Sequence, residues 1–175
     1  MSSDQSDLPH ERTTGGHRLD PGRLADHVGR LYRAAYGLCG SREAAEDLVQ
    51  DTFERVLRRP RFIRRDDDLG YLLRVLRNIW VSSGRASRPV LVPLEDDDDQ
   101  ALAGTDTVAA QVVEAGAVYE ALQGLTQPLR EAIVAVDVVG LSYREAARAL
   151  GTKEGTIMSR LHRGRSQIAA QLEAE

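Results

Sequence analysis

A glycine between two short amphipathic segments near the C-terminus is the sequence feature that most constrains the fold of this chain. Ser142 and Glu145 stand three residues apart, the spacing at which a hydroxyl and a carboxylate satisfy free backbone N–H groups at a helix start. Gly151 follows the apolar stripe of that helix, and glycine readily adopts the left-handed backbone that ends helices. Thr152 can then cap a second helix. The spacing therefore predicts a helix-turn-helix.

The second helix of this pair has an apolar face and a polar face. Ile157, Leu161 and Ile168 recur at spacings that turn them inward. The outward positions carry cations and hydroxyls, which can bind phosphates or base edges in a major groove. The DNA-contacting residues predicted for this motif are Arg144, Lys153, Thr156, Ser159, Arg160 and Arg163. The pattern alone also fits a solvated amphipathic helix pair that binds no DNA.

Length and composition exclude several classes of protein. A chain of 175 residues can hold one ordinary domain or two small ones. It has no long apolar run and no apolar leader, so we expect no membrane insertion and a cytoplasmic location. Cys39 is the only cysteine and cannot form an intrachain disulfide. The four histidines lie far apart, so we expect no metal site, and nothing predicts a cofactor.

Charge is distributed unevenly along the chain. The net charge is only −4, which alone would argue against nucleic-acid binding. Between positions 55 and 88, however, the sequence carries ten arginines, which predict a basic surface. Acidic residues concentrate in the run 95–99 and in the segment 43–54.

Three helices are predicted in the first half of the chain. Asp20 and Pro21 resemble a cap and a first-turn proline, and the first helix continues to Leu38. Gly40 and Ser41 break the chain and recap it at the start of the second helix, which Pro60 ends. The predicted buried stripe of that second helix is Ala45, Leu48, Val49, Phe53, Val56 and Leu57. A charged loop then leads to a third, strongly apolar helix with Leu69, Leu72, Leu73, Leu76, Ile79 and Trp80.

The remaining segments define the domain organisation. Residues 1–18 are polar and are predicted to be a disordered tail, and residues 87–108 read as a flexible acidic linker with prolines and no sustained periodicity. Helices are predicted near 109–122 and from Pro128 onward. No strand pattern of useful length and no nucleophile–base pair is present, so we expect no enzyme. The predicted fold is all-α, with one helical domain over 19–86 and a second over 109–175 that contains the helix-turn-helix.

Two segments carry a resemblance to a known family. The sequence from Ala45 to Val56, followed by that from Tyr71 to Asn78, closely resembles the second domain of extracytoplasmic-function sigma factors of bacterial RNA polymerase. The sequence from Gly155 to Arg165 resembles their fourth domain. The two matches stand in the family's order, with a linker between them.

The resemblance implies a role for each surface. Such proteins bind core RNA polymerase, recognise a −35 promoter element as duplex and help to melt the −10 element, and they are commonly held inactive by a dedicated anti-sigma factor. The implied polymerase-binding residues form a face of the second helix: Asp47, Gln50, Asp51, Phe53 and Glu54. The implied −10-binding residues are Arg74, Arg77, Asn78, Arg85 and Arg88, with the loop 61–70 bordering a base pocket.

Some positions depart from the family's pattern. Tyr71 stands where tryptophan is frequent, and Leu76 and Ser82 replace a small and an acidic residue, which bears on −10 preference. Met158 stands where many relatives carry lysine. Two roles stay open for Trp80, which can belong to the core or stack on DNA.

Two other functions compete with the sigma-factor reading. One is a stand-alone helix-turn-helix regulator that binds a palindromic duplex as a dimer. The other is an interaction protein that only sequesters a partner, which would leave the basic surface unexplained.

Overall fold

The part of the chain that the structure describes is helical apart from one pair of short strands and the connecting loops. The computed structural model describes residues 16–19, 21–59, 61–64, 67–84, 107–108, 111–112 and 115–173. In chain order the elements are β1 (Gly16–Arg18), α1 (Pro21–Ala25), α2 (Val28–Cys39), α3 (Arg42–Arg58), β2 (Phe62–Arg64), α4 (Asp68–Ser82), α5 (Gly116–Gln123), α6 (Gln127–Ile133) with a following π-helical turn (Val134–Val138), α7 (Tyr143–Leu150) and α8 (Glu154–Leu172). The predicted all-α fold class is confirmed. In the described part of the chain, no helix is long and apolar enough to cross a membrane.

Helices α2, α3 and α4 form the core of the first domain. Leu31, Leu48 and Leu72 are completely buried where these helices meet. The Ser41 hydroxyl accepts a hydrogen bond from the backbone N–H of Ala44 at 3.3 Å, so α3 begins where the sequence predicts a cap.

Two predictions for this domain were wrong in detail. The first predicted helix is divided into α1 and α2 by a turn in which the His27 N–H donates to the Leu24 carbonyl at 3.0 Å. Leu57, assigned to the buried stripe, is 44 % exposed. It lies near the end of α3, where the helix extends beyond the core that covers Val56.

Two further predictions were wrong at one place: that residues 1–18 form a disordered tail, and that the chain contains no strands. Gly16–Arg18 pair antiparallel with Phe62–Arg64, so that His17 lies opposite Ile63. Strands of three residues are too short to show alternation in a sequence. Residues 1–15 and most of the predicted linker lie outside the described residues.

The helix-turn-helix of the second domain forms as predicted. The Ser142 side chain accepts from the Glu145 N–H while the Glu145 carboxylate accepts from the Ser142 N–H at 2.8 Å. Gly151 ends α7 with φ of 65°, where a side chain would be strained. One prediction was wrong: Lys153, not Thr152, occupies the cap position of α8.

The two domains pack against each other in a closed arrangement. Gly37 of α2 faces the π-helical turn so closely that an added Cβ would lie 3.0 Å from the side chain of Val134. The rings of Tyr36 and Tyr119 meet edge to face, with centroids 5.1 Å apart. The buried apolar residues of both domains therefore form one continuous core.

Arg130 of α6 lies at the junction between the domains. Its guanidinium donates to the carbonyl of Leu38 at 3.1 Å in the first domain, and to the carbonyls of Gln123 at 2.7 Å and Leu125 at 3.1 Å in the second. The Gln123 side chain also accepts from Arg130 at 3.0 Å, and donates to the carbonyl of Gly37 at 2.9 Å. Burial lowers the pKa of Arg130, but an arginine keeps its proton at physiological pH.

Replacing Arg130 tests this junction. We expect Arg130→Met to lower the free energy of unfolding by about 3 kcal/mol or more, because it leaves buried carbonyls without a donor. Arg130→Lys should recover only part of that loss, since an ammonium group lacks the planar fork of donors. Denaturant unfolding measures both. Arg30→Met on the exposed side of α2 is the control and should change the value by less than about 0.5 kcal/mol. A similar small change in Arg130→Met would contradict the assigned role.

Candidate nucleic-acid and polymerase interfaces

Helix α8 carries, on its outer side, the residues predicted to contact the −35 element. Lys153, Ser159 and Arg163 are exposed, and Thr156 and Arg160 are half-buried. On the opposite side Ile157 and Leu161 are buried against the rest of the domain, as predicted. Arg144 is exposed near the start of α7. The side chains assigned to −35 binding at positions 153–163 therefore lie on one side of α8 and its cap, and Arg144 lies on α7.

The capping box stabilises the start of α7. Hydrogen bonds from Ser142 hold the pKa of Glu145 below its usual range. A carboxyl with a depressed folded-state pKa stabilises the fold above its unfolded pKa, and loses that effect as the pH falls through the folded pKa. At neutral pH the box is therefore fully formed.

An ion pair that the sequence analysis missed fixes α8 to the π-helical turn. Arg165 donates to both carboxylate oxygens of Asp137, through Nε at 3.0 Å and Nη2 at 2.6 Å. A bidentate pair of this kind fixes orientation as well as distance. The residues are 28 positions apart, and the π-helical turn that presents Asp137 leaves no simple periodicity in the sequence.

Helix α3 carries the predicted polymerase-binding face. Asp47, Gln50, Asp51 and Glu54 are exposed, whereas Phe53 is half-buried against the core. Glu54 pairs with Arg58 one turn later at 2.9 Å. The face is acidic and accessible in the closed arrangement, which is what docking on a basic partner requires.

A cleft between α3 and α4 is lined by arginines of the predicted basic surface. The cleft has a volume of about 250 Å³. Its lining includes Arg55, Arg59, Arg61, Tyr71, Arg74 and Asn78. Two predicted −10 residues, Arg74 and Asn78, therefore share one concave basic surface. Arg85 and Arg88 lie outside the described residues.

Arg77 and Arg74 also contact the second domain. The Nε atom of Arg77 lies 2.9 Å from a carboxylate oxygen of Glu131, whose side chain is only 3 % exposed. The other Glu131 oxygen accepts from Gln127 at 2.8 Å. Arg74 donates to the carbonyl of Arg148 at 2.8 Å. The −10 role predicted for these arginines stays a prediction, and in this arrangement Arg77 points to protein.

Glu131 is a residue that sequence reasoning missed. It lies among the apolar residues of α6 and is 4 % exposed. A charge is seldom buried unless it is paired. A lone acidic residue within an apolar stripe is therefore the signal that could have pointed to a partner on another helix.

Trp80 belongs to the core. It is completely buried in α4, so of the two roles left open by the sequence the structure favours packing over stacking on DNA. Within the described residues, no group of three or more His, Cys, Asp or Glu side chains could hold a metal ion.

Comparisons with known families agree with this geometry. The family model described as Sigma-70 region 2 matches residues 24–88, which contain α3, α4 and the basic cleft. The model described as Sigma-70, region 4 matches residues 115–168, which contain the helix-turn-helix.

Two sigma factors are among the proteins with similar sequences. The chain is 36 % identical over 155 residues to the ECF RNA polymerase sigma factor SigE of Mycolicibacterium smegmatis, covering 83 % of this chain and 58 % of that protein. It is 34 % identical over 148 residues to EcfG of Rhodopseudomonas palustris, covering 83 % of this chain and 80 % of that one.

A solved structure shares the arrangement of both domains. The sigma factor RpoE of Bartonella quintana, in complex with the anti-sigma factor NepR, superposes with a TM-score of 0.65 at 26 % identity, over 88 % of this chain and 96 % of that one. CnrH, in complex with the cytosolic domain of CnrY, shares the fold with a TM-score of 0.61 at 24 % identity. With both sigma-70 regions in order and EcfG matched over most of its length, the chain belongs to the extracytoplasmic-function (ECF) sigma factors.

Proposed function

We propose that this chain is an alternative sigma factor that binds core RNA polymerase and directs transcription initiation at its own class of promoters. The observation that carries the proposal is the presence, in one chain, of a region 2 with an exposed acidic α3 face and a region 4 with an exposed basic α8. Neither domain alone would both dock on polymerase and read two promoter elements.

Helix α8 supplies −35 recognition. A helix of this length fits a B-DNA major groove. Arg160 and Arg163 lie about two turns into it and can reach guanine edges or phosphates, while Lys153 and Ser159 contact the backbone. The bidentate Arg165–Asp137 pair holds α8 at a fixed angle to the rest of the domain, so these side chains approach the groove together.

The basic cleft supplies contacts to the melted −10 element. Single-stranded DNA is bound by cations that follow its phosphates and by surfaces for unstacked bases. Arg74 and Asn78 line the cleft with Arg55, Arg59 and Arg61. In the sequence, Arg85 and Arg88 follow the end of α4, and we assign them the same role.

The acidic face of α3 supplies polymerase docking. Asp47, Asp51 and Glu54 recur at spacings of three and four residues, so they project from one side of the helix. Phe53 adds an apolar anchor at the edge of that side. We infer a basic helical surface on the polymerase as the partner.

The closed arrangement must open for full promoter recognition. Arg77 cannot bind the buried carboxylate of Glu131 and a DNA phosphate at once. The α3 face and the outer side of α8 remain accessible in the closed chain. We therefore infer that polymerase binds first through α3 and that separation of the domains then releases Arg77.

A dedicated anti-sigma factor is the implied regulator. The Bartonella RpoE structure contains such a partner, and this chain superposes on that sigma factor with both domains in place. An anti-sigma factor that stabilises the closed arrangement would keep Arg77 paired with Glu131. We assign the chain no catalytic activity and place its action in the cytoplasm, where polymerase is found.

Run-off transcription tests the proposal. Purified bacterial core polymerase is incubated with a pooled promoter library, with and without the protein, and transcript starts are sequenced. We expect starts only in the presence of the protein, with two shared sequence motifs upstream. Specific duplex binding by the protein alone, without any starts, would instead support the stand-alone regulator.

The outer side of α8 gives a first mutational prediction. We expect Arg160→Ala or Arg163→Ala to reduce promoter-dependent transcription by about 5- to 150-fold, the effect of losing one good DNA contact worth ~1–3 kcal/mol. Binding to core polymerase should be unchanged, because these side chains lie away from α3. Arg30→Ala is the matched control. Loss of polymerase binding in the Arg160 or Arg163 variant would contradict the assignment.

For charge reversal on α3, in contrast, we expect binding to core polymerase itself to be weakened. The double variant Asp47→Lys, Asp51→Lys should weaken binding to core polymerase by at least about tenfold, since like charges then face each other across the interface. Fluorescence anisotropy of the labelled protein with core polymerase measures this. Glu120→Lys, on the exposed side of α5, should bind as the unmodified protein does. Equal binding by the double variant would show that α3 is not the docking face.

A further inference from the structure

Met158 is exposed on helix α8, between residues assigned to −35 binding. Its side chain is 53 % exposed, whereas that of its neighbour Ile157 is completely buried. Ile157 and Leu161 already supply the apolar side with which α8 packs against its own domain. The core therefore does not account for an apolar residue at position 158, and the thioether is accessible to another molecule.

The side chains near Met158 are polar or charged. Ser159 is the next residue, Lys153 lies at the cap of α8, and Arg163 is exposed further along the helix. The acidic Glu154 lies in the first turn, where the helix dipole stabilises a negative charge. Cations on the exposed side of a helix attract a polyanion. The surroundings of Met158 therefore favour DNA over an apolar protein surface as its partner.

Gly155 leaves room beside Met158. A side chain in an α-helix covers the turn N-terminal to its own Cα, which for Met158 is the turn that contains Gly155. Beyond its chain neighbours and the local helix backbone, a Cβ added at Gly155 would meet no atom of the described residues within 4 Å. A Cβ added at Gly164 of the same helix would lie 3.0 Å from the side chain of Ile133.

Packing thus explains the glycine at 164 and not the one at 155. Glycine stabilises a helix less than alanine does, so Gly155 brings the fold no benefit that the described contacts account for. A glycine allows another molecule to approach the backbone closely. This open space lies next to the exposed thioether of Met158.

The chemistry of a methionine side chain limits what it can contact in DNA. Its thioether is only a weak hydrogen-bond acceptor and carries no charge, so it cannot neutralise a phosphate or donate to a base edge. Its flexible and polarisable chain packs well against apolar groups. The base-pair edges in the major groove present donors, acceptors and one methyl group, the C5-methyl of thymine. Thymine is therefore the base that this side chain fits.

We propose that Met158 is a specificity-determining residue, which selects a thymine in the duplex −35 element by packing against its C5-methyl group. The inference rests on the proposed sigma-factor function and deepens it, because it adds a methyl contact to the polar contacts assigned to α8. Gly155 lets the edge of the base pair come close enough for this contact. The methyl group faces the major groove in duplex DNA, so Met158 acts when the promoter is first bound, before melting.

Replacement of thymine by deoxyuridine removes only the methyl group. Deoxyuridine pairs with adenine as thymine does, but carries hydrogen at C5. Holoenzyme is reconstituted with core polymerase, and a promoter recovered in the transcription test is prepared with each −35 thymine of either strand replaced in turn. Competition against the unmodified duplex measures relative affinity. We expect one position at which thymine is preferred by about three- to fivefold, the ratio for one methyl group removed from water.

Variants of Met158 assign this preference to its side chain. Met158→Ala should bind the thymine and deoxyuridine duplexes equally at that position. Met158→Leu keeps an apolar side chain of similar volume and should retain most of the preference, whereas Met158→Lys should lose it. Val118→Ala is the matched control, since it shortens an apolar side chain of α5 that is 45 % exposed, and it should keep the full preference.

Further measurements separate the possible failures. Thermal unfolding and binding to core polymerase should be the same for the Met158 variants and the unmodified protein. If the unmodified protein initiates transcription but prefers thymine at no −35 position, or if the preference persists in Met158→Ala, this inference alone is overturned. A −35 motif without thymine on either strand would overturn it as well. If the unmodified protein initiates at no promoter, the proposed function fails and this inference fails with it.

Discussion

The buried guanidinium of Arg130 is the interaction on which the closed arrangement depends. It joins the carbonyl that ends α2 to the loop between α5 and α6, so the second domain is oriented against the first by hydrogen bonds with fixed geometry. A charge at this depth is tolerated only while its donors are satisfied. Separation of the domains exposes the guanidinium to water, which can replace the lost carbonyl. The junction is therefore specific when closed, yet it can open without leaving a buried charge unpaired.

This geometry divides the functional surfaces into two groups. The α3 face and the outer side of α8 lie away from the domain junction and are accessible in the closed chain. Arg77, by contrast, is committed to Glu131, and Arg74 to a backbone carbonyl of α7. The closed packing of the domains thus leaves the proposed docking face accessible and engages groups proposed to bind melted DNA. Competition between an internal carboxylate and DNA phosphate for the same arginine links domain separation to promoter recognition.

The sequence predicted features that depend on local chemistry. The capping box at Ser142 and the glycine end of α7 are set by residues within a few positions of each other, as is the cap at Ser41. Features that depend on distant partners were missed. The pairing of Gly16–Arg18 with Phe62–Arg64 joins segments too short for a periodic signal, and the Arg77–Glu131 and Arg165–Asp137 pairs join residues on different elements. Two domains were predicted correctly, but apolar stripes do not reveal that their cores merge.

The distance between the two domains, measured before and after polymerase binding, most directly tests whether the closed arrangement opens. We would attach spin labels to Glu43→Cys on α3 and Ser166→Cys on α8, in a chain that also carries Cys39→Ala. Pulsed electron–electron double resonance then measures the distance between the two labels. We predict one defined distance in the free chain and a longer one in the complex with core polymerase. An unchanged distance in a complex that initiates transcription would contradict the claim that the closed arrangement opens to release Arg77.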